Sequence, residues 1–140
     1  MRGVRAAFTK YGLEVPEDLV RVGERTEEGA RAAVHELRSL PDPPTAIFAG
    51  RNTIAQGAVR ALSQRGERER VALVGFDDFP MSDLLGLTVI RQDVSRLGAL
   101  VGERLLARIQ GDTSPPSQQV LPPALIARGS GEIPPPRVAG

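Results

Sequence analysis

Apolar residues recur along this chain in two periods, and each period predicts its own element. Val4, Ala7, Phe8 and Tyr11 fall at the i, i+3, i+4, i+7 spacing of an amphipathic helix. Gly12 follows where a left-handed C-cap sits. After the turn formers Pro16, Glu17 and Asp18, the run Leu19-Val20-Arg21-Val22 reads as a short β segment. Thr26 is placed to cap a second helix whose first turn carries Glu27 and Glu28, favourable beside the positive end of the helix dipole. Its stripe is Ala30, Ala33, Val34 and Leu37, and Pro41, Pro43 and Pro44 stop it.

The period then changes. Thr45-Ala46-Ile47-Phe48-Ala49 is apolar without alternation, the pattern of a parallel strand covered on both faces. Gly50-Arg51-Asn52 turns the chain into a helix over 53–65, with Ile54, Ala55, Ala58, Val59 and Leu62 on one face and Gly66 beyond its end. A charged turn at 67–70 leads to Val71-Ala72-Leu73-Val74-Gly75-Phe76, a second buried strand. Strand, helix and strand with connections this short make a right-handed βαβ unit. A third strand is predicted at 87–90 after the irregular stretch 77–86. A helix over 94–110 follows, with Val94, Leu97, Val101, Leu105 and Ile109 on one face and Arg96, Glu103 and Gln110 opposite. Seven prolines fall between 115 and 136, yet Gln119-Val120-Leu121 and Ala124-Leu125-Ile126-Ala127 still read as short strands. The tail carrying Pro134-Pro135-Pro136 reads as linker.

Composition narrows the function classes. At 140 residues, 41% hydrophobic and 25% charged, the chain is globular and has material for one core. Its 18 basic and 17 acidic residues leave a net charge of +1, and the arginines are dispersed, so no nucleic-acid footprint stands out. Cysteine is absent and His35 is the one histidine. Thiol nucleophiles, disulfides, histidine triads and multi-histidine zinc sites therefore lack their residues. No run approaches the ~20 apolar residues of a membrane span, and no apolar run follows the N-terminal arginines. A cytoplasmic chain that is not an enzyme, with no metal and no cofactor, is the expectation.

In an open α/β sheet, ligands collect beyond the carboxyl ends of the parallel strands. That rule selects Glu24 and Arg25; Gly50, Arg51 and Asn52; Asp77 and Asp78; and Arg91, Gln92 and Asp93. Carboxylates, amides and guanidinium groups converging on one crevice suit a polyhydroxylated or charged small molecule. An Mg²⁺ or phosphoryl-acceptor role for Asp77-Asp78 would need a further acidic pair and a later lysine, and Lys10 is the only lysine. Gly50-Arg51-Asn52 lacks the spacing of a phosphate loop.

In order along the chain stand Gly3-Val4-Arg5-Ala6-Ala7-Phe8, Pro44-Thr45-Ala46-Ile47-Phe48-Ala49, Gly57-Ala58-Val59-Arg60-Ala61-Leu62, Val74-Gly75-Phe76-Asp77-Asp78, Arg91-Gln92-Asp93, Leu97-Gly98, and Val120-Leu121-Pro122-Pro123 through Arg128-Gly129-Ser130. With these motifs the sequence resembles the effector-binding core of the LacI/GalR family of bacterial transcription regulators, from Gly3 to about Ser130. The resemblance implies a parallel-sheet, three-layer, periplasmic-binding-protein-like (type I) fold of two α/β subdomains with the effector between them. It makes residues 1–92 the C-terminal subdomain and 93–122 a helix and strand of an N-terminal subdomain. Residues 123–131 are then the return, and 132–140 a flexible tail.

The ligand set so implied is Arg25, Arg51, Asn52, Asp77 and Gln92. Two positions depart from the family pattern: Arg51-Asn52 stands where an Asn-Asp pair is usual, and no aromatic lies near Arg25-Thr26. The effector is expected to be sugar-like or anionic, for example a phosphorylated or acidic sugar derivative, with internal pairing of Arg51 to Asp77 or Asp78 as the alternative that would remove the anion preference. In the family the loop after Asp78 and the helix starting near Thr53 face a partner, so Gln56, Met81, Leu84 and Leu85, with Phe79 beside them, form the expected homodimer seam. The DNA-binding headpiece is expected outside this chain, which should not bind DNA specifically by itself. The rival reading with the same fold is the sugar-binding component of a transport system.

Overall fold

The computed structural model describes residues 2–136. The helical stripes become α1 (Arg2–Lys10), α2 (Glu27–Leu37), α3 (Asn52–Gln64) and α4 (Val94–Ile109). The apolar runs become β1 (Ala46–Ala49), β2 (Ala72–Phe76), β3 (Thr88–Arg91) and β4 (Ala124–Ile126). Thr26 Oγ1 accepts from the Gly29 N–H at 3.0 Å and so caps α2. Beyond the C-terminal end of α3, Gly66 takes φ +65°, the left-handed conformation that lets the chain leave a helix without a Cβ clash.

The strands form one sheet in the order β1-β2-β3-β4, with β1, β2 and β3 parallel and β4 antiparallel to β3. Ala49 pairs with Gly75 and Gly75 with Val89, so the three parallel strands deliver their carboxyl ends to one edge. Over one face lie α3 and, against it, α2. Ala55, Ala58, Val59, Ala61 and Leu62 of α3 join Val34, Ala49, Val71, Leu73, Leu87 and Val89 in a single apolar core. Burying a leucine as fully as Leu62, 1% exposed, stabilises by about 2 kcal/mol. Small residues set the helix separation: a Cβ on Gly57 would meet the Glu27 carbonyl oxygen and lie 2.7 Å from the Ala30 Cβ. The helix caps are tied together as well. Arg38, the C-cap of α2, donates through Nε to Glu67 at 2.9 Å, and Arg65, the C-cap of α3, does the same at 2.9 Å. Those two guanidinium groups, Arg38 first, hold the Glu67 carboxyl down at about 2.

Three sequence expectations are corrected. Residues 19–22 form no strand: Glu17–Leu19 is a 3-10 turn and residues 20–22 are unpaired. Residues 119–121 form no strand either, since Pro115, Pro116, Pro122 and Pro123 flank them without backbone donors and no neighbouring strand pairs with them. That stretch is held at its start instead, where Asp112 accepts from the Ser114 N–H at 2.8 Å and Arg108 donates to the Ser114 carbonyl at 2.6 Å. β1 is not covered on both faces, because Phe48 is 47% exposed on the side away from α3. At the start of the expected tail, Glu132 accepts from the Thr88 hydroxyl at 2.8 Å and the Gly129 N–H at 2.7 Å. Residues 137–140 of that tail lie outside the described residues. Among the described residues no helix is long and apolar enough to cross a membrane.

Candidate functional site

The edge where β1, β2 and β3 end holds most of the expected ligand set. Asp77 follows β2 directly and its N–H donates to the Ile90 carbonyl of β3 at 2.9 Å. Its backbone sits at φ +69°, a left-handed conformation that aspartate tolerates better than most side chains. The chain turns sharply there, and the Asp77 carboxylate accepts from Gln92 Nε2 at 2.6 Å. A carboxylate and an amide from the ends of adjacent strands are thus fixed side by side at the rim. Between them they offer the acceptors and donor that a hydroxylated ligand needs.

Arg51 and Asn52 reach the same edge from β1. The last β1–β2 pair is Ala49 with Gly75, so Arg51 and Asp77 each follow that pair by two residues at the same end of the sheet. Arg51 is the N-cap position of α3 but supplies no side-chain cap, while the Asn52 side-chain carbonyl accepts from the Thr53 N–H at 2.7 Å. Both residues are exposed. Among the described residues the Arg51 guanidinium forms no ion pair, so the internal neutralisation by Asp77 or Asp78 that its position invites does not occur.

Arg25 follows no strand and stands on the loop ahead of the Thr26 cap, where its neighbour Glu24 lines a groove with Ala49 at the end of β1 and Ile54 in the first turn of α3. Glu27 pairs with Arg60 at 2.6 Å and Arg31 with Gln64 at 3.2 Å, which lays α2 along α3. Asp93 is spent on capping α4, accepting from the Arg96 N–H at 2.9 Å.

Asp78 is the residue whose role the sequence did not reveal. Its carboxylate takes a two-pronged grip from Arg128, at 2.9 Å and 2.8 Å, with further hydrogen bonds from the Phe79 N–H at 3.1 Å and the Ser82 hydroxyl. Arg128, then Ser82, holds the Asp78 carboxyl well below the usual carboxylate range against the cost of burial. Asp77 and Asp78 therefore turn to different partners and do not share a cation. Arg128 lies fifty positions away, and no local pattern links such a pair.

The expected seam divides as well. Met81 and Leu84 are 62% and 80% exposed, but Leu85 and Phe79 pack on the core and Gln56 is half-buried on α3. Leu85 packs against the core that Leu87, 1% exposed just ahead of β3, belongs to. An apolar groove of about 490 Å³ lies beside β1, lined by Phe8, Leu19, Val20, Ile47 and Phe48; of the strand-end candidates only Glu24 is among its lining residues.

Comparison with known proteins gives a consistent result. Residues 1–131 match the family described as periplasmic binding protein-like domain. The ribose operon repressor of Escherichia coli (strain K12) is 32% identical over 134 residues, which cover 93% of this chain and 41% of the repressor. A probable transcription regulator from Thermus thermophilus superposes with a TM-score of 0.84 at 30% identity, over 93% of this chain and 51% of that one. The transcriptional regulator CelR in complex with cellobiose superposes with a TM-score of 0.82 at 34% identity, over 92% and 41%. This chain thus spans about two-fifths of the length of the curated repressor it matches.

Proposed function

This chain belongs to the periplasmic binding protein-like domain family, and on that premise we propose that it is the effector-sensing and dimerising part of a LacI-type transcriptional regulator. The effector is a small sugar-like or anionic molecule held in a cleft between two subdomains, with the carboxyl-end rim of this sheet as one wall. The observation that carries the reading is the Asp77–Gln92 pair, bonded at 2.6 Å on that rim. CelR, a regulator of similar fold, has been solved with cellobiose. Effector binding shifts the relative position of the subdomains and, through a dimer, of the separate DNA-binding headpieces. The setting is cytoplasmic and no catalysis is involved.

Arg51 supports the anionic form of the ligand, being exposed at the turn after β1 with no internal counter-ion among the described residues. Met81 and Leu84 support the dimer seam, since both side chains stand in solvent on a short loop whose neighbours Phe79 and Leu85 are packed. Calorimetric screening of neutral sugars against their phosphates and acids, with and without Arg51→Asn, tests the ligand class. Anionic sugars should bind more tightly, and Arg51→Asn should remove that advantage; neutral sugars binding equally well would defeat the anionic assignment. For the seam, Leu84→Asp should halve the sedimentation mass, and an unchanged dimer would place the contact elsewhere.

A further inference from the structure

Two adjacent carboxylates at the end of β2 do different work, and the second governs the first. Asp77 holds a left-handed backbone at φ +69°, which aspartate tolerates better than most residues but which local restraints must fix in place for a defined turn. One restraint is the Asp77 N–H bond to Ile90 at 2.9 Å. A second acts on the next residue, because between Asp78 and Leu87 the chain returns to the start of β3, which runs parallel to β2. Asp78 is held there by Arg128 in a fork of two bonds at 2.9 Å and 2.8 Å. The side chains of Arg128 and Asp78 are 18% and 23% exposed, which keeps the pair largely out of solvent screening.

Arg128 is itself fixed to the sheet. Its backbone N–H donates to Thr88 Oγ1 at 3.0 Å and its guanidinium also reaches the Leu87 carbonyl at 3.3 Å. Two residues on, Ser130 Oγ accepts from the Thr88 N–H at 2.9 Å and donates to the Leu73 carbonyl at 2.6 Å. The fork therefore grips Asp78 from a frame of β2, β3 and the segment after β4.

We propose that Arg128 is a positioning residue for the rim: by gripping Asp78 it holds the Asp77–Asp78 turn in the conformation that presents Asp77 to Gln92. Its value to ligand binding rests on the reading of Asp77 as an effector contact; the coupling itself does not. A guanidinium on the segment just after β4 thus sets the geometry of a contact at the end of β2. Lysine would not replace it, since one ammonium cannot engage both carboxylate oxygens in parallel.

The test uses amide hydrogen exchange and ¹⁵N spectra of the full chain without ligand, in Arg128→Gln, in Asp78→Asn, and in the exchanged pair Asp78→Arg with Arg128→Asp. Protection of the Asp77 N–H should fall roughly ten-fold or more in each single variant, the scale of a lost charged hydrogen bond. The Gln92 side-chain amide signals should move to those of a freely rotating glutamine. Protection of Leu62 in α3 should stay within about two-fold, as expected for a local rather than global opening. The exchanged pair should recover part of the Asp77 protection. Unchanged Asp77 protection and Gln92 signals in both single variants would overturn the proposal while leaving the effector reading intact. Equal losses at Leu62 and Asp77 would also overturn it, because the pair would then hold the whole fold. Failure to find any effector would leave the coupling result standing.

Discussion

Helices α3 and α4 carry apolar stripes of the same spacing and end in opposite surroundings. In α3, Ala55, Ala58, Val59, Ala61 and Leu62 are buried between the sheet and α2. In α4 no residue is buried, and Leu97, Val101, Leu105 and Ile109 are between 48% and 72% exposed. Glycines repeat the contrast: a Cβ on Gly57 would strike α2, whereas Gly98 and Gly102 of α4 face open space. Periodicity thus states which face of a helix needs cover but not which part of the molecule supplies it. In α3 small residues let two layers close on it; the cover of α4 is not among the described residues.

The largest effect that distinguishes the two helices is a paired truncation. Leu62→Ala should cost about 3 kcal/mol, from lost burial plus a cavity in a close-packed core. Leu105→Ala should change stability by less than about 0.5 kcal/mol. Urea unfolding of both variants measures the difference, and equal costs would mean that α4 is packed in solution against something. The glycines sharpen the same point with smaller numbers and opposite signs. Gly57→Ala should destabilise by about 2 kcal/mol because the α2 backbone must move. Gly102→Ala should stabilise by about 0.5 kcal/mol or more by lowering the entropy of the unfolded chain. A thermal melt reads both signs, and a gain at Gly57 would refute the close helix contact.

The helix ends differ in their response to acid. Glu67, gripped by Arg38 and Arg65 at the C-caps of α2 and α3, has its carboxyl lowered to about 2. A lowered folded value means that the stabilisation is present above the unfolded value near 4.5 and is lost as pH falls toward about 2. Because the pair retains some solvent contact, the loss is about 1–2 kcal/mol. Glu67→Gln should flatten the stability profile between those pH values. An unaltered acid limb in that variant would assign the sensitivity elsewhere, with Asp78, lowered by Arg128, as another half-buried carboxylate of the same sign.

Much of this fold was legible because its core elements are local. The stripe of α3, the apolar run of β2 and the Thr26 cap each declare themselves within a dozen residues, and each lies where expected. Segments whose state depends on a distant partner were not legible. Leu19-Val20-Arg21-Val22 and Gln119-Val120-Leu121 have strand-like side chains and no strand beside them, so they stay unpaired. In the candidate site, Asp77, Gln92 and Arg51 follow the strands that the apolar runs announced, whereas the strand expected ahead of Arg25 does not form. The Arg128–Asp78 fork was invisible, since Asp78 stood out only as a strand-end carboxylate like Asp77 and only the sheet brings Arg128 within 2.8 Å of it.

A ¹⁵N titration of this chain with cellobiose, glucose, glucose 6-phosphate and gluconate tests most directly whether the strand-end rim is the ligand-facing surface. Shifts should concentrate at Asp77, the Gln92 side-chain amide and the Arg51 guanidinium, be largest for the two anions, and leave Val101 and Leu105 on α4 unmoved. Saturable shifts confined to the α4 stripe or to Phe8, Leu19 and Phe48 in the groove beside β1, with Asp77 and Gln92 silent, would contradict it.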